Sequence, residues 1–140
     1  KDYKGAIQFF DNALANGDFW FYNQKKGEAL WEVDDYKGAV EQFSRVIRDK
    51  PGYKRAWWMR AQAYKMLSQF PEALADMNYT ISIEPNDDLA IAARGYILQI
   101  SGNLVSALED YRNAAKLNPT NTMHQDAIRE IQQLMSSVKS

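Results

Sequence analysis

Apolar residues return at three- and four-residue spacing along most of the chain, in runs of a dozen or so separated by short polar breaks. That spacing places them on one face of an α-helix. Helices are therefore predicted over Phe21–Val33, Arg55–Leu67 and Leu89–Ser101, with breaks at Asp34-Asp35, Ser68-Gln69 and Ser101-Gly102-Asn103. A second set follows through Ala39-Val40-Phe43-Val46-Ile47, Ala73-Leu74-Met77-Ile81 and Ala107-Leu108-Tyr111-Ala114-Ala115, each closed by a proline. Asp35 and Asn103 are placed to cap the next helix, and Pro71 falls in a first turn, where a missing N–H costs little. The whole chain reads as helix, without a strand.

The helices repeat as pairs. Pro51, Pro85 and Pro119 stand 34 residues apart, and Ala39, Ala73 and Ala107 keep the same step. So do the bulky Phe43, Met77 and Tyr111 and the small Gly27, Ala61 and Gly95. The segment Asp2-Tyr3-Lys4-Gly5-Ala6 returns as Asp35-Tyr36-Lys37-Gly38-Ala39, one residue short of the period, which a deletion near Asn16-Gly17 accounts for. Packing explains the recurrence. Small residues let the two helices of a hairpin approach, and the bulky ones fill the space between one hairpin and the next. One hairpin cannot bury both its faces, so the units must stack.

Small, aromatic, alanine, bulky and proline residues at these offsets resemble the tetratricopeptide repeat. The resemblance covers residues 20–53, 54–87 and 88–121, and Trp57, Ala61, Tyr64, Ala73 and Pro85 make the middle unit the best match. Departures are Lys26, Arg60 and Arg94 where the family usually has leucine, and Asn23 and Ile91 in place of tryptophan. The resemblance implies an all-α, right-handed superhelical α-solenoid of antiparallel helix hairpins, a single domain over 1–140. Residues 2–15 match only a second helix, so the chain reads as cut from a longer array, or as covered by another molecule on the face of Ile7, Phe10 and Leu14. Residues 122–138 read as a capping helix, with Ile128, Ile131 and Leu134 inward and Gln125, Arg129, Gln132 and Gln133 wet.

The chemistry of the chain narrows its function mostly by exclusion. It has no cysteine and one histidine, which leaves no thiolate, disulfide or usual zinc set. His124 is expected on the surface, without a catalytic partner. The carboxylate pairs Asp34/Asp35, Asp87/Asp88 and Glu109/Asp110 are expected at helix starts or on outward faces, and Glu28/Glu32 is a fourth pair. No phosphate-loop glycine pattern appears. With 17 cations against 18 anions, nothing favours nucleic acid, and no apolar run of about 18 residues implies membrane insertion. The expectation is a non-enzymatic chain with no cofactor or metal, and a cytoplasmic setting is favoured.

In the family the resemblance points to, the first helix of each hairpin lines a concave, peptide-binding groove. Carried over, the groove positions are Phe21, Gln24, Lys25, Glu28 and Trp31; then Arg55, Trp58, Met59, Gln62 and Lys65; then Leu89, Ala92, Ala93, Tyr96 and Gln99. Aromatic platforms, a methionine and several cations suit a peptide with apolar anchors and acidic character. The two-carboxylate clamp by which some members grip chaperone C-termini is absent, and Glu28 would repel a ligand carboxylate. The reading is a protein-interaction scaffold, co-chaperone-like in type. Alternatives are an accessory repeat domain of a longer enzyme, and self-association through the uncovered N-terminal helix.

Overall fold

The computed structural model of the chain describes residues 2–14 and 20–139. Among them are eight α-helices and no strand: α1 (Tyr3–Leu14), α2 (Trp20–Glu32), α3 (Tyr36–Asp49), α4 (Lys54–Met66), α5 (Phe70–Ile83), α6 (Asp88–Ile100), α7 (Leu104–Leu117) and α8 (Thr122–Lys139). The first helices of the hairpins, α2, α4 and α6, each begin and end one residue earlier than the apolar pattern suggests. The loop near Asn16-Gly17 lies outside the described residues. The chain forms two compact units, Lys1–Asp76 and Met77–Ser140, whose boundary falls inside α5.

The turns repeat as strictly as the helices. Asp34, Ser68 and Gly102 have φ of 62°, 57° and 93°, the left-handed region. In each case the next residue donates its N–H five residues back, Asp35 to Leu30, Gln69 to Tyr64 and Asn103 to Leu98, at 2.8–2.9 Å. This double-bonded helix ending satisfies carbonyls that would otherwise be orphaned, and its left-handed position favours glycine. Only Gly102 supplies one. Asp34 gains a compensating bond from the Tyr36 hydroxyl at 2.9 Å. Ser68 is exposed, so Ser68→Gly should raise the unfolding free energy by about 0.5–1 kcal/mol, read by urea titration. A loss of stability would show that the serine side chain contributes at this turn.

Between hairpins, Tyr53, Asp87 and Asn121 close proline turns by donating to Lys50, Glu84 and Asn118 at 3.0–3.2 Å. Helix caps follow where a side chain permits. Asp35 accepts from Gly38 N–H and Asp87 from Leu89 and Ala90 N–H. Asn103 makes no such bond, contrary to expectation; its N–H serves the preceding helix ending instead.

In the first unit α2 packs on α1 and α3, and α4 packs on α3. Its core joins Leu30, Ala39, Phe43 and Ala63, with Ile7, Trp31, Tyr36, Val40 and Met59 packed around them. Ile7 therefore faces its own unit's core rather than an open surface. Phe10 and Leu14 lie outside the described side chains. Phe43 is fully buried between hairpins, worth about 1.5–3 kcal/mol. A Cβ on Gly27 would stand 2.6 Å from its ring, so the glycine is what admits it. In the second unit α7 packs on α6 and α8 around Ala107, Leu108, Tyr111 and Ile131. Ile131 and Ile128 face inward as expected, but Leu134 is exposed and Met135 takes the inward place one residue on.

Two buried acids correct the expected surface. Asp110 is not on an outward face: Arg94 grips it with both ends of its guanidinium at 2.8 Å and reaches back to Asn78 at 3.0 Å. Arg60 likewise grips buried Asp76 at 2.7 and 2.8 Å and reaches back to Ser44 at 3.0 Å. Lys26 pairs backward with Asp11, which corresponds to Ser44 once the one-residue slip is allowed for. Its forward counterpart is buried Gln42. The three cations at the usual leucine position thus each bond a polar side chain 15 or 16 residues earlier, a polar ladder that the two arginines extend forward to an acid. His124 is buried as well, 3% exposed, where its Nε2–H donates to Asp88 Oδ2 at 2.8 Å while Asn118 donates to the same oxygen.

Candidate functional site

Side chains at i, i+3, i+4 and i+7 of a helix share a face, and Phe21, Gln24, Lys25, Glu28 and Trp31 occupy such a set on α2. Arg55, Trp58, Met59, Gln62 and Lys65 do so on α4. The two helices touch, and the meeting point is Glu28. Arg55 Nε donates to its Oε2 at 3.2 Å across a 27-residue separation. Gln24 Nε2 donates to the same oxygen at 2.8 Å, and Lys25 Nζ lies 3.5 Å from Oε1. Burial alone would raise the Glu28 pKa. The hydrogen bonds from Gln24 and Arg55, with the charges of Lys25 and Arg55, outweigh it and hold the carboxyl below its ordinary value.

The remaining positions divide by exposure. Phe21 stands open to solvent with the Lys25 ammonium 5.5 Å above its ring. Arg55 is exposed and Trp58 half-buried. Trp31 and Met59 are partly buried against the unit's core, and the Trp31 ring meets Tyr36 edge-on at 4.9 Å. Lys65 donates to Gln62 at 2.8 Å, and burial depresses its pKa. Gln24 is 1% exposed, so it reaches the face only through its bond to Glu28. The site thus offers two open cations, one half-sheltered carboxylate and two aromatic surfaces. Leu89 and Tyr96 belong to the second unit, where both are exposed on α6. Sequence reasoning missed the burial of Gln24. Its neighbour Asn23 is fully buried too, in place of the expected tryptophan, and a polar residue at that point was the available signal.

Among the described residues, no group of three His, Cys, Asp or Glu side chains could hold a metal ion, and no helix is long and apolar enough to cross a membrane.

Comparisons with known proteins bear on the fold. A family model described as tetratricopeptide repeat matches residues 25–88. Hsp70-Hsp90 organizing protein 3 of Arabidopsis thaliana is 27% identical over 122 residues, 87% of this chain and 21% of that protein. The chain spans about a fifth of the curated relatives it matches first. Among solved structures, MamA superimposes with a TM-score of 0.89 at 16% identity, covering 96% of this chain and 80% of the other. The first such domain of Spaghetti (RPAP3), bound to the HSP90 peptide SRMEEVD, gives a TM-score of 0.76 at 23% identity, covering 84% and 93%.

Proposed function

We propose that this chain, similar to tetratricopeptide repeat proteins in sequence and fold, is a protein-interaction scaffold whose α2–α4 face holds a peptide segment. The observation that carries this reading is the meeting of Arg55 and Glu28, which brings side chains from the first helices of two successive repeats to one place. Around them Phe21 and Trp58 supply aromatic surface for an apolar anchor, and Lys25 and Arg55 supply cations for an acidic neighbour. The relatives support the same reading, since one is named for organizing Hsp70 and Hsp90 and a structural neighbour is bound to an acidic peptide. The scaffold carries out no reaction of its own in this reading.

A fluorescent SRMEEVD peptide tests it. Wild type should bind saturably with a Kd of about 10–100 µM. The double variant Arg55→Glu with Trp58→Ala should lose about tenfold or more while keeping its helical circular dichroism, because neither side chain belongs to the buried core. Equal binding by both proteins would remove the site from this face.

A further inference from the structure

Glu28 is held as a bound ligand would be. Its carboxylate takes an amide donor from Gln24, a guanidinium donor from Arg55 and the ammonium of Lys25. Amide, guanidinium and ammonium are the donor set that a peptide's own carboxylate requires. Gln24 is locked in this role: it is 1% exposed, and its Oε1 has no hydrogen-bond partner among the described residues, so its Nε2 bond to Glu28 is the contact that orients it. The Glu28 side chain is 23% exposed, less than half the exposure of Arg55 at 57%. Arg55 can therefore swing to an incoming group while Glu28 stays anchored beside Gln24.

Resting on the peptide-binding reading above, we propose that Glu28 is an internal competitor: it fills from within the chain the place of a ligand carboxylate and determines how strongly an acidic peptide is held. An acidic side chain or chain terminus takes over Arg55 and Lys25 only by displacing Glu28. Only molecules with those cations released are competent, and the apparent affinity falls by that fraction. An apolar, uncharged peptide is indifferent to the exchange.

The test compares wild type with Glu28→Gln, which keeps the size of the side chain, and with Glu72→Gln, an exposed control in the first turn of α5 that changes net charge equally. Calorimetric titration with SRMEEVD should show Glu28→Gln binding about three- to tenfold more tightly than wild type, with the control within about twofold. The N-acetylated, C-amidated peptide SQMQQVN, which carries no charge, should bind all three alike. Adding Arg55→Gln to Glu28→Gln should abolish the gain. In wild type, the Arg55 Nε–H resonance should shift with SRMEEVD and stay still with the neutral peptide, a readout independent of any variant. If wild type binds peptide but Glu28→Gln binds the acidic one no tighter than the control does, the competitor is refuted and the peptide site stands. If no protein binds either peptide, both fall.

Discussion

Arg60→Leu should be strongly destabilising, although leucine is what the tetratricopeptide repeat ordinarily carries at that position. The reason lies with its partner. Asp76 has a side chain only 4% exposed, and both its oxygens are taken by Arg60 at 2.7 and 2.8 Å. Removing the guanidinium leaves a carboxylate in a place that water barely reaches, and breaking one half of a buried pair costs about 3–5 kcal/mol. Arg60 also lies 5.2 Å from the Trp57 ring and 5.7 Å from that of Tyr64, so its loss removes two cation–π contacts. The double variant Arg60→Leu with Asp76→Leu should return to within about 1–2 kcal/mol of wild type, because two apolar groups replace the pair without leaving a charge behind. Urea unfolding of the four proteins of this cycle measures the coupling. Burial already raises the Asp76 pKa, and losing the arginine's opposing charge and hydrogen bonds raises it further above the unfolded value, so the deficit of Arg60→Leu should shrink from about pH 7 to about pH 4. A single variant that loses less than about 1 kcal/mol would mean that Asp76 finds water without its arginine.

That ladder marks the limit of what the sequence tells. The helical hairpins were legible because small residues must recur wherever helices cross, and Gly27, Ala39, Ala61 and Ala73 do so at a constant step. The left-handed turns at Asp34, Ser68 and Gly102 were legible as breaks, though two of the three lack glycine. A contact between residues 16 apart follows no helix-face period, so Arg60 and Arg94 looked like departures from a pattern rather than halves of pairs. His124 was hidden in the same way. Its partner Asp88 is 36 residues earlier, and a histidine becomes easy to bury only once such a partner is in place. In the site, the alignment of α2 and α4 positions was readable from the repeat. Whether a given member would be open, like Phe21, or covered, like Gln24, depends on neighbours that only packing reveals.

Gly27→Ala tests the packing side of the same argument. In a helix interior this change normally stabilises by about 0.5–1 kcal/mol, since alanine has less backbone freedom to lose. Here the new methyl would stand 2.6 Å from Phe43 Cε1, 2.9 Å from Cδ1 and 3.0 Å from Cζ. Those atoms belong to a fully buried ring that also touches the cluster of Leu30, Ala39 and Ala63, so it cannot rotate away without opening the core. Overpacking of this kind costs about 1–3 kcal/mol, enough to reverse the intrinsic gain. Gly95→Ala supplies the contrast, since its methyl would meet Asp110 Cβ at 3.2 Å and Ala107 O and Tyr111 Cε1 at 3.4 Å, a crowding of a few tenths of an ångström. Thermal and urea unfolding should rank the three proteins, with Gly95→Ala within about 1 kcal/mol of wild type and Gly27→Ala below it. If Gly27→Ala proved more stable than wild type, the glycine would be there for some reason other than the ring it faces. The repeat's small residues would then need an explanation besides close approach.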